Sequence, residues 1–167
     1  DDALFSAIAQ NTDIIVVAPC CHKQVRPQLN AHFSATRDVH PLSSILKHGV
    51  YRERISETVT DSLRALLLEY AGYKVQVFEF IGGEHTSKNV MITAIKVQGS
   101  ISNQESIREQ IVSLAGLHGI GCQKLAQMME VDLLAGDEKT TMQQDLTVKR
   151  GNSAQLSKNR MPPMRLR

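Results

Sequence analysis

An α/β fold is predicted by three features of the chain. Residues Ile14 to Ala18 form a short apolar run, rich in β-branched side chains and stopped by Pro19. That is the pattern of a strand buried on both faces of a parallel sheet. Further on, Ile55, Val59, Leu63, Leu66, Leu67 and Tyr70 recur at three- and four-residue steps, the apolar stripe of a long helix that Ala71-Gly72 closes. Tyr73 to Ile81 and Val90 to Val97 then read as two strands joined by the turn-rich GGEHTSKN, which predicts a hairpin.

The remaining elements follow in order. Leu4, Phe5, Ile8 and Ala9 have helical spacing behind acidic Asp1 and Asp2, so a helix from about Asp2 to Gln10 leads into the first strand. Gln24 to Arg37 is polar around Pro27 and predicts a loop with a helical piece near Leu29 to Phe33. Pro41 introduces a short helix through Leu42, Ile45 and Leu46, ended by Gly49. Beyond Gly99, Ile107, Ile111, Leu114 and Leu117, then Leu125, Met128 and Met129, predict two helices packed as a hairpin and divided by His118-Gly119-Ile120-Gly121. From Gly136 periodicity is lost. The chain thus divides into a core over 1–98, a helical extension over 99–135 and a flexible tail over 136–167.

The net charge is +2, and its distribution is uneven. Residues 1–98 carry ten basic and ten acidic side chains, 99–135 two and four, and 136–167 seven and three, so the surplus lies in the tail. A neutral core without a basic, aromatic-interleaved stripe gives no nucleic-acid groove by composition alone. No apolar run approaches membrane-spanning length and no signal peptide opens the chain, so a cytoplasmic location is expected. Three cysteines, two of them adjacent, make no disulfide framework. The first strand also lacks upstream neighbours, which implies that these residues belong to a larger domain whose first half is missing.

The strand that stops at Pro19 puts Pro19, Cys20, Cys21, His22 and Lys23 at its carboxyl end, where open α/β sheets meet their ligands. Neighbours on an extended chain point to opposite sides, so His22 is poorly placed to activate Cys21 as a nucleophile. Adjacent Cys-Cys-His also lacks the spacing that wraps ligands around one metal ion, and no metal site is expected. Glu84, His85, Thr86, Lys88 and Asn89 place several functional groups in the hairpin loop. Asp61 and Arg64, three residues apart, read as a surface ion pair.

Four blocks, APCCHK after a strand, HGVYRER, TDSLRALLLEYAGYKVQVFEF and EHTSKNVMITA, in this order, resemble the C-terminal half of a family of class I S-adenosylmethionine-dependent methyltransferases. In that family the Cys-Cys-His signature follows the fourth strand, and the resemblance covers roughly Asp1 to Val97. It implies the second half of a Rossmann-like sheet ending in an antiparallel hairpin, followed by a helical extension. It implies S-adenosylmethionine as cofactor and a methyl acceptor, with RNA the leading candidate because relatives with a similar block look like RNA-modifying enzymes, and a protein or a small molecule the alternatives. On that resemblance Pro19, Cys20, Cys21 and His22 form the floor beside the transferred methyl group. Lys23 and Arg26 would hold an anionic substrate, and Glu84, His85, Lys88 and Asn89 would border the same crevice.

One departure is plain. The glycine-rich turn after a first strand and the acidic residue after a second, which hold the cofactor, are absent. Neither Gly82-Gly83 nor Gly119-Ile120-Gly121 has the strand–glycine–helix setting to replace them. The chain by itself is therefore expected to be inactive. Two rivals differ from an enzyme: a non-catalytic methyltransferase-like module that binds RNA or a protein, and a small domain sensing redox state or metal at Cys20-Cys21-His22.

Overall fold

Residues 1–80, 89–99 and 103–134 are described by a computed structural model. Their element order is α1 (Asp2–Ala9), β1 (Ile14–Val17), α2 (Val25–Thr36), α3 (Ser43–Leu46), α4 (Gly49–Tyr70), β2 (Tyr73–Glu79), β3 (Val90–Lys96), α5 (Gln104–Leu117) and α6 (Lys124–Met128). The fold is mixed α/β. Its sheet has the order β1-β3-β2, with β3 antiparallel to both neighbours, so β1 and β2 run parallel to each other across it. Glu84, His85 and Lys88, like the whole tail from 135, lie outside the described residues.

The first strand departs from expectation. β1 pairs antiparallel, not parallel, and among the described residues on one side only, in a register that sets Ile14 opposite Ile95 and Val17 opposite Ile92. Ile15 is buried, whereas Ile14 is 62% and Val16 56% exposed. The alternation of strand side chains explains this. One face of the sheet, carrying Ile15, Tyr73, Ile92 and Ala94, shares a core with Leu63 and Leu67 of α4. On the opposite face Ile14, Val16, Ile95 and Phe78 stand open to solvent.

Two helix boundaries also differ. α2 is a full twelve-residue helix. Pro27 does not break it because it sits in the first turn, where the missing N–H would have no helical acceptor anyway. Gly49 opens α4 instead of closing α3. The predicted end of α4 is found: Ala71 caps it and Gly72, at φ +95°, turns the chain into β2. α5 lies along α4, and α6 packs against α1 and α4. Both helices feed the same core, through Ile107, Ile111, Ala115, Leu125 and Ala126.

A smaller core of Leu29, Phe33 and Leu46 sits where α2 meets α3. His40 ties it to the end of α5: its Nδ1 accepts from the Leu42 N–H at 3.0 Å, which leaves Nε2–H to donate to the Leu117 carbonyl at 3.2 Å. His118 follows directly and is buried. Burial lowers its pKa, and the nearby His40 and His32 lower it further. Gly119, at φ +64°, lets the turn come so close to α2 that a Cβ there would fall 2.3 Å from the Cβ of His32.

Two expected outcomes follow from this junction. The folded imidazole of His118 binds a proton less readily than the unfolded one, whose value is 6.5. Stability is therefore intact above that value and is lost as pH falls through it towards the lower folded pKa. Melting temperatures recorded from about pH 5 to about pH 7.5 should show this acid slope, and His118→Gln should flatten it. Gly119→Ala should cost on the order of 1–3 kcal/mol in denaturant unfolding, because it adds both a clash and a strained φ.

A buried guanidinium beneath the Cys-Cys-His turn

β1 ends at Val17, and the next five residues form the turn that the sequence marks for chemistry. The turn is held from below by α4. Along that helix Ser56, Thr60, Asp61 and Arg64 are all buried, making a polar stripe beside the apolar one. Asp61 and Arg64 are thus not the surface ion pair that their spacing suggests. They face the turn because α4 passes beneath the carboxyl end of β1.

The geometry is a single network. Arg64 donates from Nη1 to Asp61 Oδ1 at 2.9 Å, from Nε to Asp1 Oδ1 at 2.8 Å and from Nη2 to the carbonyl of Cys21 at 2.8 Å. His22 Nε2 lies 3.0 Å from both oxygens of Asp61. A carboxylate only accepts, so Nε2 carries the proton and donates it to Asp61. Gln123, just before α6, donates to Asp1 Oδ1 at 3.2 Å. His22 is 7% exposed, and its Nδ1 has no partner among the described residues. The imidazole is therefore a tether from the turn to α4, and its second ring nitrogen is buried.

The thiols occupy the outer surface. Cys20 and Cys21 are both exposed, with their sulfurs 3.5 Å apart. Their sulfurs therefore lie on the same side of the chain. Lys23 is exposed beside them. Arg26 pairs with Glu53 across α2 and α4, which takes up part of its charge. Asn89 donates to the Phe80 carbonyl at 3.2 Å and so closes the base of the hairpin. Among the described residues no group of three His, Cys, Asp or Glu side chains is arranged to hold a metal ion.

Two glutamines near the start of α2 escaped the sequence reading. Gln28 Oε1 accepts from the N–H groups of Gly121 and Cys122, both at 3.0 Å, and its Nε2 donates to the Cys122 carbonyl at 2.7 Å. Gln24 Oε1 accepts from the Lys124 N–H at 2.9 Å, and its Nε2 donates to Cys122 Sγ at 3.3 Å. Together they lock the turn between α5 and α6 against α2. Only their spacing of one helical turn could have signalled a shared face.

The described residues do not by themselves fit S-adenosylmethionine. Among the described residues, the turn with Gly119 and Gly121 follows a helix, and the space a side chain at Gly119 would fill is already taken by His32. Such a glycine makes room for packing, not for a ligand. Comparison with protein-family models, curated proteins and solved structures returns no match. No described helix is long and apolar enough to cross a membrane.

Removing one member of a buried charged set leaves the others uncompensated. Asp61→Ala should therefore destabilise the chain by about 3–5 kcal/mol in denaturant unfolding. Cys20→Ser, at an exposed thiol, should stay within about 0.5 kcal/mol.

Proposed function

We propose that this chain is the acceptor-side half of a class I S-adenosylmethionine-dependent methyltransferase, with RNA as the methyl acceptor. The observation that supports the reading best is the order of the sheet. Methyltransferase-type sheets end with an antiparallel strand inserted beside a parallel one, and here β3 lies between two strands that run parallel to each other. The Cys-Cys-His turn sits at the carboxyl end of β1, where such a sheet meets its ligand.

The open side of the sheet fits the same reading. Among the described residues β1 is paired along one edge alone, and Ile14, Val16, Ile95 and Phe78 on that face of the sheet are exposed. An antiparallel sheet can leave one face to water, whereas in the parallel sheets of α/β folds helices cover both faces. On this reading a cofactor-binding half joined to these residues would supply strands along β1 and helices over this face. What the chain itself contributes is a shaped rim, with Cys20, Cys21 and Lys23 outermost and Pro19 and His22 behind them. Methyl transfer depends above all on alignment of donor and acceptor, and a turn fixed by Arg64 and Asp61 is suited to positioning.

Calorimetric titration of S-adenosylmethionine into this chain and into a chain extended upstream tests the assignment. Binding is expected only with the longer chain. Failure of both to bind would leave a non-catalytic methyltransferase-like module in its place, and tight binding to the short chain would overturn the division into halves.

A further inference from the structure

Two thiols stand side by side on the outer surface of the turn after β1. Cys20 and Cys21 are both exposed, and their sulfurs are 3.5 Å apart. A disulfide bond is about 2.0 Å long, so closing it takes an approach of about 1.5 Å between side chains that already face each other. Among the described residues neither sulfur has another hydrogen-bond partner that competes for it.

The backbone behind the pair is fixed. The Cys21 carbonyl accepts from Arg64 Nη2 at 2.8 Å, and His22 Nε2 donates to Asp61 at 3.0 Å, so both groups that follow the thiols are anchored on α4. Holding two sulfurs at one place makes the second step of a disulfide exchange intramolecular. The third cysteine is situated differently. Cys122 is half-buried, its Sγ accepts from Gln24 Nε2 at 3.3 Å, and Gln28 holds both its N–H and its carbonyl.

A bond between neighbours in sequence has a particular character. The peptide joining Cys20 to Cys21 is trans, which sets their Cα atoms about 3.8 Å apart. Disulfides normally span about 4.4–6.8 Å between Cα atoms, so this bridge closes a tight and strained ring. Strained, exposed disulfides are the readily reduced ones, whereas relaxed and buried ones resist ambient thiols. The pair is therefore suited to reversible oxidation and unsuited to a permanent structural bridge.

We propose that Cys20 and Cys21 are a reversible oxidation site, closed to a vicinal disulfide by low-molecular-weight disulfides and reopened by the corresponding thiols. One cysteine thiolate attacks a sulfur of the small disulfide, breaking its S–S bond, forming a mixed disulfide and releasing one small thiolate. The other cysteine thiolate then attacks the protein sulfur of that mixed disulfide. The Cys20–Cys21 bond forms and the second small thiolate leaves. Two electrons pass from the cysteine pair to the small disulfide, and the two thiol protons end on the released thiols. The rim of the turn thereby exchanges two thiols for one closed ring, directly before the carbonyl that Arg64 holds. The inference stands apart from methyl transfer, since it needs only the two thiols and the anchored turn.

The test uses the whole 167-residue chain, reduced and then equilibrated in mixtures of oxidised and reduced glutathione. Free thiols are trapped with N-ethylmaleimide, and the chain is digested with trypsin. Residues 1–23 form one tryptic peptide that holds Cys20 and Cys21, and residues 109–124 form another that holds Cys122. With oxidised glutathione in excess, the first peptide should lose two hydrogens and take no maleimide, while the second is alkylated. Excess reduced glutathione should restore two maleimides to the first. Cys122→Ser should leave the bridge unchanged. Cys20→Ser should stop at a glutathione adduct on Cys21, with unchanged melting temperatures showing that each variant folds. The proposal is overturned if the first peptide stays doubly alkylated throughout, if the unaltered chain stops at glutathione adducts, if the two peptides become joined, or if excess reduced glutathione fails to reopen the bridge.

Discussion

The rest of the candidate site depends on one buried guanidinium. Arg64 is permanently charged and nearly excluded from water, a placement that is costly unless its donors are used. Asp1, Asp61 and the Cys21 carbonyl use them. Each acceptor comes from a different part of the chain: the start of α1, the body of α4 and the turn after β1. The arginine therefore fixes three segments at once. The conformation of the Cys-Cys-His turn is set from beneath, by a helix distant in sequence, more than by the strand that leads into it.

This arrangement divides the labour among the three residues of the turn. His22 points inward and completes the coordination of Asp61, while Cys20 and Cys21 are left facing solvent. A histidine committed in this way orients the backbone around it. The thiols are then held at the rim by a backbone whose carbonyl and following side chain are both anchored. α2 carries that rigidity further. Its early glutamines grip the turn between α5 and α6.

The elements legible in the sequence were those where periodicity and punctuation agree. α4 has an uninterrupted apolar stripe and a glycine at its end, and the hairpin has alternating strands with turn residues between them. α2 was harder to read because it buries only Val25, Leu29 and Phe33, a stripe too thin to outweigh a visible proline. Burial misled twice. The apolar run of β1 signals a demand for cover but does not name what covers it, and the Asp61–Arg64 spacing looks the same on a wet face as on a dry one. Residues whose roles depend on a tertiary neighbour, such as Gln24 and Gln28, carry almost no local signal.

The open face of the sheet makes its own demand for cover. An edge strand of four apolar, β-branched residues without a charge is a surface that natural proteins normally cover or interrupt, since it offers unpaired backbone groups beside apolar side chains. Ile14 and Val16 continue onto Ile95 across the β1–β3 register, so the exposed side chains form one band and are not scattered singly. Scattered apolar residues need no explanation, but a contiguous band beside an open edge does. Strands added along β1 would satisfy the edge, and helices behind them would cover the band. A domain resting only on the face would cover the band but leave the edge of β1 unpaired, so the two demands are met together only by strand pairing.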